Sequence, residues 1–226
     1  MTDAGVVLDV GSRDETSEFS GACQALQNVQ LKTLRNTNET MNYGMMQMSG
    51  GDFNMLFDRE KMYWSTRCVE YNVEDIFNVI LDCALEPRGV FAGNIARAKN
   101  RKTHQLIAHL EKVSDPFIRN SDLLFTTAYG YNTLGMPLAG LGNNVENIDA
   151  KMLQDFVMNH VIPEKVVIAA SGVKNHQEFV ELVVNRIDEY PRSVPLVDQD
   201  RTPAKYIGGE SRTWRETPST NVMVAF

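Results

Sequence analysis

Gln24-Ala25-Leu26-Gln27-Asn28 follows Gly5 to Arg13, a short acidic stretch and Ser20-Gly21-Ala22-Cys23, a frame in which a metal-binding His-x-x-Glu-His motif would sit. On a helix, residues four apart share a face. Two imidazoles at the outer places of a His-x-x-Glu-His pattern can therefore reach one zinc ion, while the glutamate activates its water. Here the two histidine places hold Gln24 and Asn28, and the glutamate place holds Gln27. Neutral amides are poor substitutes for imidazole and carboxylate. A glutamine also cannot accept a proton from water at neutral pH. The stretch is expected to supply no catalytic residue and no metal ligand.

The other residues with chemical potential assemble no rival site. His104 and His109 are five apart, which turns them about 140° from one another around a helix. With Glu111 they are read as solvated or partly buried side chains. His160 and His176 have no matched partner. Ser171-Gly172 resembles neither a nucleophile elbow nor a phosphate loop, and Gly140-Leu141-Gly142 is read as a turn. Cys23, Cys68 and Cys83 are odd in number and widely spaced, which suits core thiols in a reducing compartment. Arg97, Lys99, Arg101 and Lys102 read as a solvated helix face, and Asp14, Glu15 and Glu18 as a solvated loop. Met41, Met45, Met46, Met48 and Met55 read as core or loop residues rather than an adaptable peptide-binding surface.

The elements that must position the motif are legible from periodicity. Gly5 to Val10 is an apolar run and predicts a buried strand. After it, Phe19, Ala22, Cys23, Leu26, Val29 and Leu34 recur at helical intervals, so Gln24 to Asn28 lie on a helix behind a strand. Asn36 to Gly51 fits no element. Phe53–Phe57 and Met62–Cys68 flank Asp58-Arg59-Glu60 as a hairpin. Val73 to Leu85 is an amphipathic helix stopped by Glu86-Pro87-Arg88-Gly89. Ala92 to Val113 predicts a long helix. Ser114-Asp115-Pro116 breaks it and caps the next, to Tyr129. Gly130 to Asn144 is a glycine-rich loop. Asn147 or Asp149 opens a helix to His160, and Val166 to Gly172 is a strand. Gln177 to Tyr190 is a further helix, and Pro191 to Pro203 a connection. Tyr206–Glu210 and Asn221–Phe226 look like closing strands.

Strands and helices come in blocks, which favours an α+β fold: an antiparallel sheet with helices mainly on one face. The expected organisation is a body over residues 1–190 carrying the motif, a connection over 191–204 and closing strands over 205–226. The last apolar run stops within its own pattern. The chain is therefore expected to be a fragment, or half of a larger protein completed by another chain.

The bulk properties fit. With 226 residues, 43% hydrophobic and 23% charged, the chain can bury a sizeable core. A net charge of −7 argues against nucleic acid and is compatible with a cationic peptide partner. No apolar run approaches the roughly 18 residues of a membrane span, and Met1-Thr2-Asp3-Ala4 is neither a signal nor an Arg-rich transit peptide.

The ordered set of landmarks resembles the peptidase M16 (pitrilysin) family. They are Gly5 to Arg13, the helix with Gln24 to Asn28, Leu81-Asp82-Cys83-Ala84-Leu85-Glu86-Pro87 and Thr127-Ala128-Tyr129-Gly130. Asn132 to Leu138, Val166 to Val173, Tyr206-Ile207-Gly208-Gly209-Glu210 and Val222 to Phe226 follow in order. Within the family, the segment after Val166 is most similar to alpha subunits of mitochondrial processing peptidases. Core proteins of the bc1 complex share the pattern.

The resemblance implies that Gln24 and Asn28 stand at the zinc-ligand places and Gln27 at the general-base place. The distal glutamate ligand falls near Ala108. Catalytic, cofactor and metal residues are thus expected to be absent from this chain, with zinc held by a beta-type M16 partner. The implied role is binding of basic, amphipathic mitochondrial presequences in the matrix, the partner doing the cutting. A C-terminal M16 half would come from another chain or a missing region. The alternative is a structural core subunit of the bc1 complex at the inner membrane, or both roles in one protein.

Overall fold

The structure, a computed structural model, describes residues 1–27, 39–48, 50–85, 110, 113–145, 147–162, 165–189, 201–214, 216 and 219–226. Strand β1 (Thr2–Leu8) lies inside a four-stranded antiparallel sheet. The others are β2 (Asp52–Phe57), β3 (Met62–Cys68) and β4 (Val166–Ser171), in the order β2-β3-β1-β4. Val6 sits opposite Trp64 on one side and Ile168 on the other, and Met55 opposite Trp64. Strand side chains alternate between faces, so this register sets the rows. Ala4, Val6, Leu8, Met55, Met62, Trp64 and Cys68 form a buried face. Leu56, Ser65, Arg67 and Val167 point the other way and are exposed.

The helices pack on the buried face. Helix α1 (Ala22–Gln27) and α2 (Glu39–Met48) precede the hairpin, and α3 (Val73–Leu85) follows it. The stripe Ile76, Phe77, Ile80 and Leu81 of α3 is fully buried. Helix α4 (Pro116–Tyr129) begins as its sequence demands: Asp115 accepts the N–H groups of Phe117 and Ile118, and Pro116 needs no donor. A one-turn α5 (Gly142–Val145) leads to α6 (Ala150–His160), capped by Asp149. Helix α7 (His176–Asp188) is capped by Asn175 and docks on α3, with Phe179 5.0 Å from Phe77. A buried ion pair, Arg186 with Asp82, joins the same two helices. Removing one member would strand a charge in the interior, at a cost of about 3–5 kcal/mol.

The α+β architecture with helices on one sheet face is therefore as expected, and three local readings change. Asn36 to Gly51, which fitted no element, contains α2; Gly50, at φ +64°, follows it. The glycine-rich loop 130–144 is not free-standing. Asp122 of α4 accepts the N–H groups of Leu138 and Ala139 and pairs with Arg59 of the hairpin turn at 2.7 Å.

Third, Tyr206–Glu210 and Asn221–Phe226 form no strand among the described residues. A strand exists only in a ladder, and these segments have none among the described residues. The N–H groups of Ile207 and Gly208 instead go to the carbonyl of Ala128 at the end of α4, and Tyr206 packs edge-on against Tyr129. Val222, Val224 and Phe226 are exposed. The long helix expected over Ala92 to Val113 lies outside the described residues except Leu110 and Val113, as does most of the connection 191–204.

Candidate functional site

The motif helix is positioned by what precedes it. After β1 the chain makes a 3-10 turn at Ser12–Asp14 and reaches α1 through a tight turn at Gly21, φ +98°. The first N–H groups of a helix lack intrahelical partners. Glu15 supplies them: its carboxyl oxygens accept from Gly21 N at 2.7 Å and Cys23 N at 2.8 Å. The loop after α4 closes over this turn. Gly140 has φ +73°, and a Cβ there would lie 2.7 Å from the Cα of Gly21. Leu141 N donates to Ser20 Oγ at 3.0 Å.

The acidic stretch is thus not a solvated loop, although Glu18 is exposed. Glu15 is only 6% exposed, and burial outweighs its hydrogen bonds to push its pKa up to about 7. Asp14 is held by Arg201, whose guanidinium also bonds Asp9 and the Glu60 carbonyl. Arg201 thereby ties a remote segment to the end of β1 and to the hairpin.

The two described motif residues differ in environment. Gln24 is 3% exposed, and neither its Oε1 nor its Nε2 has a hydrogen-bond partner among the described residues. Gln27 reaches the sheet: its Nε2 donates to the main-chain carbonyl of Met55 in β2 at 2.9 Å. Asn28, the distal position near Ala108, Glu111, His104 and His109 lie outside the described residues. No three His, Cys, Asp or Glu side chains among the described residues are placed to share a metal ion.

The two described amides are poor zinc donors. At the first ligand place stands a buried amide instead of an imidazole. At the base place stands an amide whose N–H₂ is turned to a carbonyl. His160 is far from ligand chemistry: its Nδ1 faces the carbonyl of Phe156, its ring stacks on Phe156, and burial pushes its pKa down. Cys23, Cys68 and Cys83 are buried, as core thiols should be.

Glu15 and Arg201 were the residues that sequence reasoning missed. Glu15 carried a faint signal, an acid just ahead of a helix start. Arg201 carried none, because its partners are remote in sequence.

The profile of the insulinase family, peptidase family M16, matches residues 1–141. The chain belongs to peptidase family M16. Its relatives include a probable mitochondrial-processing peptidase subunit beta of Arabidopsis thaliana, 26% identical over 97% of this chain and 44% of that protein. A probable subunit alpha-2 of the same plant is 24% identical over 98% of this chain and 43% of that one. Ubiquinol-cytochrome-c reductase complex core protein I of Euglena gracilis is 24% identical over 98% and 44%. The chain thus spans less than half the length of these relatives. Among solved structures, a protease from Helicobacter pylori superposes with a TM-score of 0.75 at 16% identity, covering 91% of this chain and 48% of that one. That likeness shows the fold.

Two outcomes follow for the helix. A buried amide with unmade hydrogen bonds costs about 1–3 kcal/mol, so Gln24→Leu is expected to raise the urea midpoint, and a fall would show that the amide is paired. Glu15 binds its proton more tightly folded than unfolded. Its contribution is therefore fully present below about pH 4.5 and lost as pH rises to about 7. Glu15→Gln, which cannot ionise, should flatten that decline in urea titrations between about pH 4.5 and 7.

Proposed function

We propose that this chain is the non-catalytic, presequence-binding alpha-type subunit of a mitochondrial processing peptidase, supporting zinc-dependent cleavage by a beta-type partner. What supports the reading is the pair of amides at Gln24 and Gln27, the positions that the sequence resemblance assigns to a ligand and the base of the M16 motif helix. A chain built this way has no ligand or base to offer at those places. It holds no zinc and no catalytic residue, and the zinc belongs to the partner.

Relatives named as alpha and beta processing-peptidase subunits match at almost the same identity, so overall likeness does not choose between the types. The motif chemistry favours alpha. The net charge of −7 suits presequences, which are basic and amphipathic. The location proposed is the mitochondrial matrix, or the matrix face of the inner membrane. The remaining M16 length is supplied by another chain or by further residues of this protein.

A second reading, a structural core subunit of the bc1 complex, is favoured by the likeness to the Euglena core protein. Co-purification with cytochromes b and c1 would support it.

Reconstitution tests the first reading. Cleavage of a fluorogenic presequence by a beta-type partner should rise at least about tenfold when this chain is added, and should be abolished by a chelator. Cleavage by this chain alone, or no change on adding it, would overturn the proposal.

A further inference from the structure

Strand β2 is an edge of the described sheet. Edge strands present main-chain donors and acceptors to any extended chain that comes alongside. In antiparallel pairing, alternate residues turn both their N–H and C=O toward the neighbour, and the others turn both outward. Met55 lies opposite Trp64 of β3, yet its carbonyl accepts from outside the sheet. Met55 therefore belongs to the outward set and, by alternation, so do Phe53 and Phe57. The outside donor is the side chain of Gln27, 2.9 Å away on α1.

Residue chemistry decides what this contact can be. An ionised glutamate at position 27 has acceptors only and would repel the Met55 carbonyl. A glutamine of the same length supplies an N–H. The replacement that removes a base thus adds a bond, and adds it in the middle of a six-residue edge strand.

We propose that Gln27 locks the β2 edge: its side-chain amide occupies the outward acceptor at Met55 and prevents an extended chain from adding to β2. A strand docking there must use the Met55 N–H and C=O as a pair. With the carbonyl taken and the Gln27 side chain across it, the new ladder breaks at its centre. The outward N–H groups of Phe53 and Met55 meet no acceptor among the described residues, so the lock acts at the carbonyl. The lock concerns one edge of this chain and requires no partner subunit, so it stands apart from the alpha-type reading.

The test uses the whole chain and a fluorescein-labelled, uncharged peptide of alternating threonine and valine as the extended probe. Gln27→Met and Gln27→Glu remove the donor, while Gln27→Lys keeps one. Anisotropy should show the first two binding the probe about tenfold more tightly than the parent, the factor that about 1.4 kcal/mol gives. Gln27→Lys should behave like the parent. Residue-resolved amide exchange should slow at Phe53 and Met55 when the probe is added to the Met and Glu variants, which distinguishes β2 from the other edge at β4. Exchange at Val6 within the sheet reports that each variant is folded. If a variant does not fold, the parent decides: probe binding that slows Phe53 and Met55 exchange in the parent overturns the lock. Equal binding by parent and folded variants, or tighter binding without slowing at those amides, also overturns it.

Discussion

Strand β1 is hydrogen-bonded on both sides, to β3 and to β4, and its row Thr2, Ala4, Val6 and Leu8 is buried throughout. A shift of its register by one residue would turn that row to the other face. The helices would then meet Asp3 and Gly5 where they now meet Ala4 and Val6. Every helix contact with the sheet, the seat of α3 included, depends on that register. The end of β1 is also where the chain must turn back to begin the motif helix. Arg201 braces this corner by bonding Asp9, Asp14 and the hairpin together.

From that corner the position of α1 follows. A buried carboxyl caps its start, and the loop at Gly140 covers the turn before it. The start of the helix is thus fixed by a buried cap and a covering loop, while Gln24 and Gln27 on it carry amides. One amide is buried without a hydrogen-bond partner among the described residues, and the other donates to a strand carbonyl.

Much of this was legible locally. The alternation of Met62–Cys68 and the 3.6-residue stripe of α3 announce their elements, because one buried face imposes one period. The Asp115-Pro116 and Asp149 starts were readable because capping is local chemistry. Helix α2 was not, since its methionines, Asn42 and Gly44 give it little apolar stripe. Tyr206–Glu210 and Asn221–Phe226 have strand-like composition, but a strand needs a ladder partner, and composition does not say whether one is present. Of the site, the residue types at Gln24 and Gln27 were readable at once. The bond to Met55 and the burial of Glu15 were not, because both depend on contacts made by the folded chain.

The central claim is that the motif helix no longer holds a metal. It is tested most directly by the zinc content of the purified chain, measured by atomic emission after exposure to zinc and exhaustive dialysis. The account predicts far less than about 0.1 equivalent per chain, unchanged by chelator treatment. Close to one equivalent, removed by chelator and regained on zinc addition, would contradict it.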